Sequence, residues 1–278
     1  MGIQGLGCKD GQCGSRYEDM LPRQWLGALF VLQSAVVFAS NGGYLGGLTN
    51  PEVGKKYPTL LMPAGWAFAI WGVIYTWECL SYGAIAFRTP HPSKQLEAAA
   101  PFLLAANACQ LLWAVAFCRE RLVASTLLIV GIAASLLCAA EELRGCAEFW
   151  TVAVPTSIHG GWVLAASLVN VSLALVQAKV STPNQLAVAF GSLYAALVAA
   201  AVLCATRGDA PFALAVAWAL LAIGVELPVS KAARPPLLST DANAALKHTA
   251  VFAAAVLAWL AFSAVVFEAA VEPWHDGL

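Results

Sequence analysis

Phe68, Trp71, Tyr75, Glu78 and Tyr82 follow one another at offsets of 3, 4, 3 and 4 residues, the spacing that brings side chains onto one face of an α-helix. The stripe is aromatic and carries one carboxyl group inside an otherwise apolar segment. An ionisable group at mid-span costs at least ~2.5 kcal/mol on membrane-insertion scales, so Glu78 must face a cavity or a polar partner, or keep its proton. Two readings stand side by side. In one the aromatics are ordinary helix packing, with Trp66 as an anchor at the membrane interface. In the other they wall a site for a flat apolar ligand, with Glu78 as its polar contact. His159, Trp162, Ala166 and Asn170 form a second stripe of helical spacing. A lone intramembrane histidine is more commonly a hydrogen-bonded packing residue than a metal or haem ligand. Gly160 and Gly161 beside it call for close approach of a neighbouring helix or of a ligand. A third set places the amides Asn107 and Gln110 ahead of Trp113 and Phe117, and a buried amide needs partners or water.

Other chemistry is not indicated. Of the eight cysteines no two stand in a C-x-x-C spacing, and Cys79, Cys109, Cys138 and Cys204 lie in apolar runs where cysteine acts as a small hydrophobe. Neither a nucleophile with a base nor a metal cluster is visible, so an enzyme is not expected and no obligatory cofactor is implied.

The elements that position these stripes follow from composition. With 60% hydrophobic and 11% charged residues, against about 25% charged in a typical soluble domain, the chain reads as all-α: a polytopic membrane helical bundle. Eight apolar segments approach the length needed to cross a bilayer: 25–43, 64–87, 101–118, 122–140, 148–178, 186–206, 211–229 and 249–271. The short turns at 119–121 and 207–210 can only join antiparallel neighbours, whereas 43–63 and 230–248, with Pro235-Pro236, are long enough to cap a cavity. Glu226 lies near a span end, where its carboxylate is expected to snorkel to the interface. Lys and Arg divide seven to eight between the two faces, so the positive-inside rule assigns neither orientation nor membrane. A net charge of −1 leaves no basic excess for nucleic acid. Residues 1–24 read as a polar tail without the pattern of a signal peptide. Met1-Gly2 lacks the Ser or Thr of a myristoylation site, and lipidation at Cys8 has no further support.

Within the second span, Pro63-Ala-Gly65-Trp66-x-Phe68-x-x-Trp71-x-x-x-Tyr75 resembles the signature of the TspO/MBR family, the translocator or tryptophan-rich sensory proteins. Trp113 through Phe117 resembles that family's third-helix Asn-x-x-Trp segment, and Trp162 with Asn170, eight residues apart, is similar to its fifth-helix Trp and Asn. Gln110 stands where the family usually has Asn, and His159 where it usually has Tyr. The resemblance covers residues 25–178 and implies a five-helix core, leaving 179–278 as a three-helix transmembrane extension, an accessory layer against a separable bundle. It further implies a homodimer and a pocket for a small apolar ligand, a tetrapyrrole such as porphyrin or haem. The pocket residues it suggests are Pro63, Gly65, Trp66, Phe68, Trp71, Tyr75, Glu78, Gln110, Trp113, His159, Trp162 and Asn170. In this reading Gly65, Gly160 and Gly161 leave room for the macrocycle's edge, and Glu78 or His159 supplies its polar contact. The role would be sensory, regulatory or in translocation. The alternatives are a secondary transporter with Glu78 as a proton-coupling or substrate group, and a non-catalytic subunit of a membrane complex.

Overall fold

The computed structural model describes residues 12–87, 92–227 and 238–275, with side chains placed at 25–87, 92–227 and 238–267. The expectations for Met1-Gly2, Cys8 and Pro235-Pro236 lie outside the described residues. In chain order the helices are α1 (Gln12–Asn41), α2 (Asn50–Lys56), α3 (Ile70–Phe87), α4 (Lys94–Cys118), α5 (Leu122–Glu142), α6 (Val154–Gln177), α7 (Thr182–Arg207), α8 (Ala210–Glu226) and α9 (Thr240–His275). A 3₁₀ turn at Gly65–Ala69 leads into α3, and a π-helical turn at Phe149–Ala153 leads into α6. Among the described residues there is no strand.

Each of the eight apolar segments coincides with one helical run. α4, α5, α7, α9 (over Thr240–Phe267) and the run Phe149–Gln177 are long and apolar enough to cross a membrane, and Trp25–Asn41 and Ala210–Glu226 are shorter apolar helices. α3 is 18 residues long and carries Glu78, two tryptophans and two tyrosines among its apolar residues. The chain is a multi-pass integral membrane protein. Two boundaries differ from expectation. α1 begins at Gln12, inside the segment read as a polar tail. The 43–63 connection contains α2, opened by Thr49-Asn50-Pro51-Glu52, where the Glu52 carboxylate accepts from the backbone N–H and the hydroxyl of Thr49, each at 2.8 Å.

Helices α1, α4, α5, α6 and α3 pack in that order around a ring, with α3 closing back onto α1. The closing contacts are aromatic, Phe30 against Tyr82 at 4.7 Å between ring centroids and Phe38 against Tyr75 at 6.0 Å. The extension docks on this ring through α8, which packs along α6 on one side and against α9 on the other. Small residues make the approach close, as expected where no hydrophobic effect separates helix from lipid. A Cβ on Gly161 would stand 2.5 Å from the Phe212 carbonyl oxygen of α8, so only glycine fits there. The pair Gly160-Gly161 therefore makes room for α8, and not for a ligand's edge. Polar ties add to the docking. Ala64 N–H donates to the Ala222 carbonyl at 3.2 Å, Trp218 Nε1 donates to the Ala67 carbonyl at 3.0 Å, and Arg207 pairs with Glu141 at 2.7 Å. The α7–α8 hairpin turns on Gly208, in the left-handed region at φ +67°, and Asp209 caps α8 by accepting from Phe212 N–H.

The buried apolar residues form two cores. One fills the ring, and the other joins α7, α8 and α9 to Leu60 and Leu61 of the 43–63 connection. Ala219 and Ala222 of α8 belong to the first core while most of α8 belongs to the second. The extension is thus interleaved with the ring.

Candidate functional site

A cavity of about 880 Å³ opens among α1, α2, α3, α4, α5, α6 and α8. Nine of the residues read from the sequence line it: Pro63, Gly65, Phe68, Trp71, Tyr75, Gln110, Trp113, Trp162 and Asn170. Their rings form one connected surface. Trp162 meets Trp71 edge-on at 6.1 Å and Phe68 edge-on at 5.7 Å, and Trp71 leans on Tyr75 at 5.5 Å. Trp71 and Tyr75 come from α3 and Trp162 from α6, so the aromatic surface depends on the angle at which these helices meet.

The polar atoms of the wall fall into two groups. Gln110 Nε2 donates to the Tyr75 hydroxyl at 2.8 Å, and Trp113 Nε1 donates to Asn170 Oδ1 at 3.1 Å. The Asn170 amide in turn donates to Ser125 Oγ at 2.9 Å and Thr126 Oγ1 at 2.8 Å, which joins α4, α5 and α6. Gln110 and Asn170 thus fasten helices together, although they border the cavity. Trp162 Nε1 is different: the side chain is 2% exposed, and its N–H has no hydrogen-bond partner.

Three expected site residues do not line the cavity. Trp66 sits outside it, 43% exposed and edge-on to Trp218 at 4.7 Å, so it braces α3 against α8. Glu78 and His159 lie behind the aromatic wall, where Glu78 Oε1 is 2.7 Å from His159 Nδ1. Each answers the other's burial, so neither is the polar contact of the cavity. His159 also meets Trp71 edge-on at 5.6 Å, and its Nε2 is buried without a partner. Glu78 further borders a void of about 10 Å³ with Ser81, Tyr82 and Thr156, about the volume one water needs. The π-helical turn serves this corner, because its Trp150 and Thr151 carbonyls accept from Trp77 Nε1 and Ser81 Oγ.

Sequence reasoning missed the roof and the lining contributed by α1 (Val37, Phe38 and Asn41), α5 (Ile129 and Ile132) and α8. α2 borders the cavity through Asn50, Pro51, Gly54 and Lys55. It is held by a latch at the α4–α5 turn, where Lys56 pairs with Glu120, Tyr57 donates to Glu120 Oε2 at 2.7 Å, and Gln177 Nε2 donates to the Glu120 carbonyl at 2.9 Å. The hydrogen bonds from Lys56 and then Tyr57 hold the Glu120 carboxyl below its usual range. Leu48 N–H donates to the Cys118 carbonyl at 2.8 Å, and a Cβ on the preceding Gly47 would collide with that oxygen. The Thr49 to Glu52 capping pattern was the signal that marked α2. Of this missed lining, α8 contributes Ala219, Ile223 and Glu226. Glu226 is half-buried at the cavity and is not a fully solvated span end. Alanine and isoleucine carry no chemical signature, so nothing in the sequence singled these positions out.

The chain matches a family model described as TSPO-like protein over residues 24–265, from α1 into α9. The match therefore takes in the extension as well as the ring. No curated protein and no solved structure matches the chain.

Proposed function

The chain belongs to the TSPO-like family, and on that premise we propose that it binds a small planar apolar ligand, a tetrapyrrole such as porphyrin or haem, in this cavity, in a sensory, regulatory or translocation role. The volume of about 880 Å³ falls within the roughly 300–1,000 Å³ typical of small-molecule sites. Offset and edge-on aromatic surfaces suit a flat macrocycle, which stacks on their faces without needing a polar partner at every atom.

The observation that carries the reading is the connected aromatic surface that Phe68, Trp71, Tyr75 and Trp162 present at the cavity. His159 has no part in this binding mode, since it stands behind the wall with Nδ1 engaged by Glu78. An axial bond from His159 to haem iron is not proposed.

Equilibrium dialysis of protoporphyrin, haem, a sterol and a carotenoid against the purified protein, with detergent micelles alone as control, tests the reading. Saturable retention of the porphyrins above the micelle background is expected. Retention equal to that of empty micelles for both porphyrins would overturn it.

A further inference from the structure

The ring alone does not enclose the cavity. Ala219, Ile223 and Glu226 stand at offsets of 4 and 3 residues, so they form one stripe along α8, and all three border the cavity. The stripe changes character along its length, from a buried methyl group at Ala219, through Ile223, to the half-buried carboxylate of Glu226 at the helix end. Its position is fixed at several independent points. Gly161 admits the Phe212 carbonyl. Trp218 bonds the 3₁₀ turn that carries Phe68, and the Ala64 amide bonds the Ala222 carbonyl between the stripe's residues. A surface placed this rigidly acts as a wall of the site.

The chemistry of the stripe says what it selects. Ala219 borders the cavity with a single methyl group, and a larger side chain there would take up cavity space. Among the described residues Glu226 makes no hydrogen bond or ion pair, although it is half-buried at the rim of an apolar cavity. Lys55, the other charged side chain of the lining, is exposed on α2, where its charge already acts on Glu52. A half-buried carboxylate attracts more strongly than an exposed ammonium, because water and salt screen the latter.

Building on the cavity reading above, we propose that α8 is a contact surface of the ligand site: Ala219 sets the room for the planar body, and Glu226 selects an outer end that is cationic or donates hydrogen bonds. In this account the extension is a specificity-determining part of the site, and the ligand is an apolar planar molecule with an amine or similar group at one edge.

Two probes test this on the full chain in detergent: octaethylporphyrin, which has no charged periphery, and the same macrocycle bearing one aminoalkyl arm. Wild type is expected to prefer the aminated probe, and Glu226→Gln to lose that preference by about tenfold, the scale of one charge-assisted hydrogen bond. Ala219→Phe, with Ala219→Leu as a milder step, is expected to weaken both probes about tenfold or more. Leu221→Phe, on the exposed face of α8, is expected to change neither. If wild type retains neither probe, the cavity reading itself fails. If wild type binds both and folded Ala219→Leu and Glu226→Gln bind them as wild type does, the cavity reading stands and the role given to α8 is wrong.

Discussion

Glu78 Oε1 and His159 Nδ1 lie 2.7 Å apart across the junction of α3 and α6, with their side chains 8% and 5% exposed. The two groups are each other's hydrogen-bond partner within the membrane protein's interior, where an unpartnered ionisable side chain is strongly unfavourable. His159 then rests edge-on against Trp71, so the pair also fixes an aromatic ring of the cavity wall.

Breaking that pair on one side is therefore expected to cost roughly 3–5 kcal/mol, because the surviving partner is left buried and uncompensated. Glu78→Leu and His159→Phe should each lower the unfolding midpoint in detergent markedly. The double variant should recover most of the loss, since two apolar side chains need no partner. A double variant as unstable as the sum of the singles would show that the two residues act independently.

Gly161→Ala places a methyl group 2.5 Å from the Phe212 carbonyl, and backbone cannot yield as a flexible side chain does. Overpacking of this kind costs about 1–3 kcal/mol. Gly191→Ala meets nothing within 4 Å and should be neutral or slightly stabilising, as alanine is the better helix former. Thermal unfolding of the two variants side by side checks the contrast; equal midpoints would mean that α6 and α8 do not pack this closely.

The Glu120 latch gives a pH dependence with a defined sign. Its carboxyl is held below the usual range by Lys56 and Tyr57, so its stabilisation is fully present above the ordinary carboxylate range and is lost as pH falls through the lowered folded value. Hydrogen exchange in residues 50–57, corrected for intrinsic rates, should be slow at neutral pH and accelerate only in acid. Glu120→Gln should show faster exchange already at neutral pH. Exchange in the variant indistinguishable from wild type at neutral pH would remove the latch.

The eight apolar segments and the two aromatic stripes were legible because period and length alone determine them. Phe68, Trp71, Tyr75 and Trp162 accordingly meet at one cavity. Glu78 and His159 were legible as anomalies, but the sequence could not tell that they satisfy each other, since 81 positions separate them and only the α3–α6 packing brings them together. The glycine pair at 160–161 announced a close approach without saying to what, and the answer is the Phe212 backbone. Ala219 and Ile223 were invisible because their contribution is shape. Removing residues 179–278, the extension that the resemblance set apart from a separable bundle, would remove the α8 wall.

Binding of octaethylporphyrin to wild type, Trp71→Leu, Trp162→Leu and Trp259→Leu, measured by equilibrium dialysis with each variant shown to be folded, tests the central claim most directly. Trp71 and Trp162 line the cavity, whereas Trp259 is 66% exposed on α9. Loss of the stacking surface is expected to weaken binding by roughly 0.5–1.5 kcal/mol beyond simple area loss for each of the first two variants, and Trp259→Leu should bind as wild type does. Equal affinity across all four proteins would contradict the placement of the ligand between α3 and α6.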